Sequence, residues 1–232
     1  MKVIIPILTL VIGGLGGYFL RPPVAAHKTS HEEVTLRGLS AVTGNEFKFS
    51  DVIEKTCEVQ VLPPVEEHTA LLKFLPQASS RVAMELSQPN SPAREKRRIN
   101  EVSALFENAL RIEIDAHPNF SCDFPKTKEG EIQRSGYPDL RVEHLPTGTV
   151  AYLDPKLFEE KSIKSGFRTF YYEPSEDTTK VTEDALHLLI GFPHDGKTRE
   201  WTFGNPHLVD LSGLTVTLKT EFSASNKNLY RE

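Results

Sequence analysis

The stretch Gly136 to Lys156, GYPDLRVEHLPTGTVAYLDPK, decides the fold. Tyr137 to Glu143 reads as one strand, and Thr149 to Leu153 reads as a second, β-rich and apolar one. Leu145-Pro146-Thr147-Gly148 between them supplies turn residues. The hairpin brings its acids towards one end, with Asp139 early in the first strand and Asp154 closing the second. Asp154 and Lys156 are two residues apart, so on an extended chain they share a face, about 7 Å apart along the strand.

Two carboxylates and a lysine on one hairpin suit metal-assisted phosphodiester hydrolysis. Carboxylate oxygens hold Mg²⁺, which keeps several waters and also takes substrate phosphate. The ion polarises the phosphoryl oxygen and makes a hydroxide available near neutral pH. A lysine beside it orients that water or offsets charge developing on the phosphorane. The competing reading is a surface hairpin whose acids and lysine are merely solvated.

Pro138-Asp139, followed by Asp154-Pro155-Lys156, resembles the PD-(D/E)xK nuclease superfamily, with its restriction-endonuclease-like fold. The resemblance implies a mixed α/β domain with a central β-sheet flanked by helices. It implies metal binding by Asp139 and Asp154, with Mg²⁺ or Mn²⁺ as cofactor, and service of the attacking water by Lys156. A backbone carbonyl between acid and lysine often joins the metal in that family; here it belongs to Pro155, which lacks an N–H but keeps its C=O. Pro155 departs from a regular strand, since proline is usually confined to edges and bulges.

Ser91-Pro92 reads as N-cap and first residue of a helix running to Ile112. Ile99, Val102, Leu105, Phe106, Ala109 and Leu110 form its apolar stripe. Its first turns carry Arg94, Lys96, Arg97 and Arg98, either a phosphate contact or a solvated face. PD-(D/E)xK nucleases have such a helix before the hairpin, often with a glutamate reaching the metal. Glu101 and Glu107 are the candidates, and Glu107 in LFENAL is the closer match. After the hairpin, Lys161, Lys164 and Arg168 either line a nucleic-acid groove or are plain loop charge, ahead of a strand at Thr169–Tyr172. Ala185 to Phe192 reads as a buried strand, with His187 a core histidine rather than a base.

At the N-terminus, Val3 to Leu20 is an apolar run just long enough to span a bilayer. Either it is a signal peptide cleaved near Val24-Ala25-Ala26, or it is an uncleaved anchor holding the protein to a membrane. Its length and its clean stop at Arg21-Pro22-Pro23 favour the anchor. The division expected is therefore a membrane anchor or signal segment at 1–26, a linker and N-terminal elaboration at 27–91, and a nuclease-like core at 92–232. Within the elaboration, Cys57 to Leu62 reads as a strand and Val65 to Leu75 as a short helix stopped by Pro76. Arg81 to Leu86 reads as a separate helical turn.

The chain has 232 residues, 38% of them hydrophobic, enough to bury a full core. Its net charge of −5 argues against non-specific coating of DNA but permits a local basic groove. Cys57 and Cys122 lie in no metal-binding cluster; they pair in an exported domain or stay free in a cytosolic one. Nucleophile elbows and phosphate-binding glycine loops are absent, which sets aside serine hydrolases, kinases and dinucleotide oxidoreductases. Two functions remain: a metal-dependent nuclease acting on DNA, or a non-catalytic, membrane-anchored or exported envelope domain that binds a protein or ligand. Convergence of Asp139, Asp154, Lys156 and an upstream glutamate favours the first.

Overall fold

A computed structural model describes residues 45–165, 172 and 179–218. The apolar run at 3–20, Arg168 and all but Tyr172 of the strand expected at Thr169–Tyr172 lie outside these residues. Among the described residues, no helix is long and apolar enough to cross a membrane.

The elements, in chain order, are β1 (Glu46–Lys48), α1 (Phe49–Cys57), β2 (Val61–Leu62), α2 (Thr69–Leu86), α3 (Ile99–Asp115), β3 (Phe120–Asp123), β4 (Leu140–His144), β5 (Thr149–Glu159), β6 (Ala185–His194), β7 (His207–Asp210) and β8 (Thr215–Thr217). Six strands form one mixed sheet in the order β2-β6-β5-β4-β3, with β7 also paired to β6. β3, β4 and β5 are antiparallel neighbours, whereas β5 and β6 run parallel from Ala151↔Leu186 to Glu159↔His194. β1 and β8 make a separate two-stranded ribbon.

Each face of the sheet is covered. Ala151 and Leu153 of β5 and Leu186, Leu188 and Ile190 of β6 pack against α2 and α3. Val150 and Tyr152 turn to the other face, where Phe49 and Ile53 of α1 meet Tyr137 and Val181. Because both faces are buried, β6 is a continuous apolar run rather than an alternating one.

Three elements differ from the sequence expectation. Pro76 does not end a helix; α2 passes through it. Leu71, Phe74, Leu75, Ala78, Val82, Ala83 and Leu86 recur at helical spacing on both sides of the proline, all buried. Burying that stripe outweighs the roughly 3 kcal/mol that an interior proline costs. The helix expected from Pro92 is instead a single 3₁₀ turn, Pro92–Glu95, capped by Ser91 Oγ accepting from Ala93 N–H at 3.1 Å. α3 begins afresh at Ile99, and Trp201 Nε1 donates to the Lys96 carbonyl between the two. Cys57 ends α1 rather than opening a strand, and both cysteines are free and buried.

Candidate active site

β5 is eleven residues long, but its partner β4 is paired only to Thr149–Leu153. The chain enters β4 through Gly136, whose φ of 75° suits glycine, and a cis Tyr137–Pro138 peptide. Asp139 therefore sits at the mouth of the ladder, its N–H donating to the Leu153 carbonyl at 3.1 Å. From Asp154 onward, β5 keeps β6 on one flank and, among the described residues, has no strand partner on the other.

That geometry accommodates Pro155. Backbone groups of alternate strand residues point to the same neighbour. Since the Leu153 carbonyl faces Asp139, the nitrogen and carbonyl of Pro155 face the same flank, beyond the end of β4. The missing N–H removes no ladder bond, and β5 continues unbroken through the proline. The Pro155 carbonyl opens onto the flank that Asp139 occupies.

Asp139, Asp154 and Lys156 converge there. Lys156 Nζ donates to Asp154 Oδ1 at 2.8 Å and to Asp139 Oδ2 at 3.2 Å. The Asp154 side chain is only 2% exposed, and burial pushes its carboxyl up to about 7 against the pull of Lys156, with Asp139 adding to the rise. Burial works to lower the Lys156 ammonium, but the two carboxylates outweigh it and hold its pKa above the ordinary value. Asp154 Oδ2 is buried without a hydrogen-bond partner. A buried acceptor left unpaired is costly, and this one lies beside a second carboxylate.

Glu107, half-buried on the shoulder of the α3 stripe, accepts from Arg134 at 2.9 Å. Burial raises its pKa, and the charge of Asp139 raises it further, so the two acids share one field. Glu101 does something else: its Oε2 accepts the Arg97 N–H at 3.2 Å and so closes the start of α3. Among the described residues, no three Asp, Glu, His or Cys side chains are grouped tightly enough to ligate one ion. The oxygen donors nonetheless suit a hard divalent cation: two adjoining carboxylates, one with an unpartnered buried oxygen, and a carbonyl on the same flank.

Lys161 is turned aside, paired with Glu159 at 2.6 Å, and Lys164 is exposed on the following turn. Neither makes a hydrogen bond or ion pair with the three central residues among the described residues. Of the basic cluster ahead of α3, Arg94 donates to the Ser87 carbonyl at 2.9 Å, while Arg97 and Arg98 are exposed.

Two groups at the site escape the sequence reading. Lys180 is 2% exposed and donates to the Gly136 carbonyl at 2.7 Å. Burial pushes it down to about 8, while Asp139, Asp154 and Glu107 pull it back up. Tyr137, also buried, hydrogen-bonds His187 Nδ1 at 2.7 Å behind the turn. His187 is fully buried and its pKa is lowered to about 3, which fits a core histidine and not a base. Nothing in the polar stretch around Lys180 marks it; only the packing of residues 179–184 against the hairpin does.

The chain matches the type II restriction enzyme MjaV family over residues 42–232. Type II restriction enzyme MjaV of Methanocaldococcus jannaschii is 30% identical over 200 residues, spanning 81% of this chain and 86% of that protein. No solved structure matches the chain.

Proposed function

The chain belongs to the MjaV family of type II restriction enzymes, and we propose that it is a Mg²⁺- or Mn²⁺-dependent endonuclease of PD-(D/E)xK type that hydrolyses phosphodiester bonds in DNA. One observation carries the site assignment: Lys156 bridges Asp139 and Asp154 beside an unpartnered, buried carboxylate oxygen. Family membership supports a DNA nuclease and gives the envelope-domain alternative no footing.

In this reading Asp139, Asp154 and the Pro155 carbonyl would hold the cation, with Glu107 joining as a further ligand on leaving its Arg134 partner. When bound, the ion would polarise the scissile phosphate and lower the pKa of a coordinated water. The chain's own part is to set the charges in place beforehand. Burial sets the Asp154 carboxyl beside Asp139, with Glu107 in the same field, so Asp154 and Glu107 resist ionising and a divalent cation would relieve that resistance. Lys156 holds both carboxylates now, and its ammonium is placed to orient the attacking water or meet charge developing on the phosphate. Lys164 and Arg168 are the proposed phosphate contacts; Lys161 joins them by exchanging its Glu159 partner for DNA.

Lys156→Ala tests the assignment. A group acting on the transition state leaves substrate affinity alone. Single-turnover cleavage should fall by about 10²–10³, while DNA affinity measured in Ca²⁺ changes little. Cleavage at the parental rate would make the Asp154-Pro155-Lys156 run a coincidence of the hairpin. Asp139→Ala should abolish Mn²⁺ binding by calorimetry with the fold intact, and unchanged binding would remove Asp139 from the site.

A further inference from the structure

We infer that Lys180 is a positioning residue for cleavage: its ammonium holds the Gly136 carbonyl and thereby fixes the turn that delivers Asp139 to Asp154. Lysine is rarely buried without a partner, and Lys180 is 2% exposed. Its Nζ donates to Gly136 O at 2.7 Å. Only Tyr137 and Pro138 separate Gly136 from Asp139, and Tyr137 is itself pinned by its bond to His187. Little slack remains between the held carbonyl and the carboxylate.

The lysine is carried on a fixed piece of chain, not on a loose arm. Thr182 N–H donates to the Tyr152 hydroxyl at 3.0 Å. Arg141 donates from Nε and Nη2 to the two carboxylate oxygens of Glu183, at 2.6 and 3.2 Å. Asp184 accepts the Gln60 N–H at 2.7 Å. These bonds tie residues 182–184, just after the lysine, to β5, β4 and the approach to β2. Lys180 faces the field of Asp139, Asp154 and Glu107, yet forms no ion pair with any of them among the described residues. Its hold on the site therefore runs through the Gly136 carbonyl. A methionine of similar length would leave that carbonyl without its partner and free the turn.

The inference rests on the metal-nuclease reading, and the test separates the two. Outer partners of metal ligands typically contribute about 10–100-fold in metal affinity or activity. The variant Lys180→Met should therefore weaken Mn²⁺ binding, measured by calorimetry without DNA, by about that factor. Its single-turnover rate should fall in parallel, with DNA affinity in Ca²⁺ unchanged. Lys180→Gln keeps a donor for Gly136 and should recover most of the loss, which also covers the case in which the methionine variant does not fold. A parent that binds no Mn²⁺ would remove the nuclease reading itself. A parent that binds Mn²⁺, with Lys180→Met matching it in affinity and rate, would overturn the role of Lys180 alone. Weakened DNA binding with metal affinity intact would overturn it too, making Lys180 a DNA contact. A folded Lys180→Gln as impaired as the methionine variant would show that the carbonyl bond is not what matters.

Discussion

The two halves of β5 are built for opposite ends. From Thr149 to Leu153 the strand has β4 on one flank and β6 on the other, and Val150, Ala151, Tyr152 and Leu153 are buried. From Asp154 to Glu159 its strand partner among the described residues is β6 alone, and it opens with a buried acid, a proline and a half-buried lysine. The first half removes apolar surface from water, which stabilises the fold. The second half removes charge from water, which destabilises the fold unless the charges are partnered. The loss of β4 at Asp139 makes the difference. It frees a flank where carboxylates, a carbonyl and an ammonium meet without a strand between them.

The comparison breaks most sharply through stability. Leu153→Ala in the first half empties a fully buried position and should cost about 2–5 kcal/mol. Chemical denaturation reads this directly, and a loss below about 1 kcal/mol would mean the two-flanked half is not closely packed. One residue along, Asp154→Asn should move stability the other way. The Asp154 carboxyl is raised from its ordinary value to about 7, so the folded chain keeps a proton that the unfolded chain has released. That contribution is complete below the unfolded value near 4 and is lost as pH rises through 7. The parent therefore weakens between those limits, and the asparagine variant does not. At pH 8 Asp154→Asn should be the more stable on the order of 2 kcal/mol, or roughly 5 °C in Tm. The gain should vanish towards pH 4. A variant less stable than the parent at pH 8 would show that Lys156 fully compensates the buried charge. The same ionisation governs metal binding, since a ligand must be deprotonated; parental Mn²⁺ affinity should fall as pH drops below 7.

What the sequence made legible follows the same division. The hairpin, the apolar stripe of α3 and the buried β6 were readable because each repeats a local period. Asp139, Asp154 and Lys156 were readable because all three lie on one hairpin, whose pairing sets their separation. Glu107 needed the family resemblance, for its position depends on how α3 lies on the sheet. Proline as a local breaker predicts a stop at Pro76, whereas the buried stripe from Leu71 to Leu86 carries α2 through it by packing. Lys180 had no signal at all. A lone lysine in a polar stretch becomes part of a site only when tertiary contacts carry it to Gly136. The apolar run at 3–20 kept its two readings, and intact mass of the isolated protein separates an anchor that begins at Met1 from a chain beginning at His27.

The smallest effect expected is at Pro155, and it tests the open flank itself. In a strand paired on both sides, proline removes a ladder hydrogen bond. At position 155 the flank that the nitrogen faces has no strand among the described residues, so a restored N–H finds no ladder carbonyl there to bond. Pro155→Ala should thus gain nothing from the ladder. It should lose about 0.4–1 kcal/mol, because alanine leaves the unfolded chain more conformational freedom. The carbonyl remains in either case. If that carbonyl is the metal ligand proposed here, Mn²⁺ affinity and single-turnover rate should both stay near parental values. A stability gain beyond about 1 kcal/mol would reveal a ladder bond that the proline was suppressing, and the flank would not be open. A large loss of metal affinity with stability unchanged would mean that the rigid ring, and not the backbone oxygen alone, sets the site.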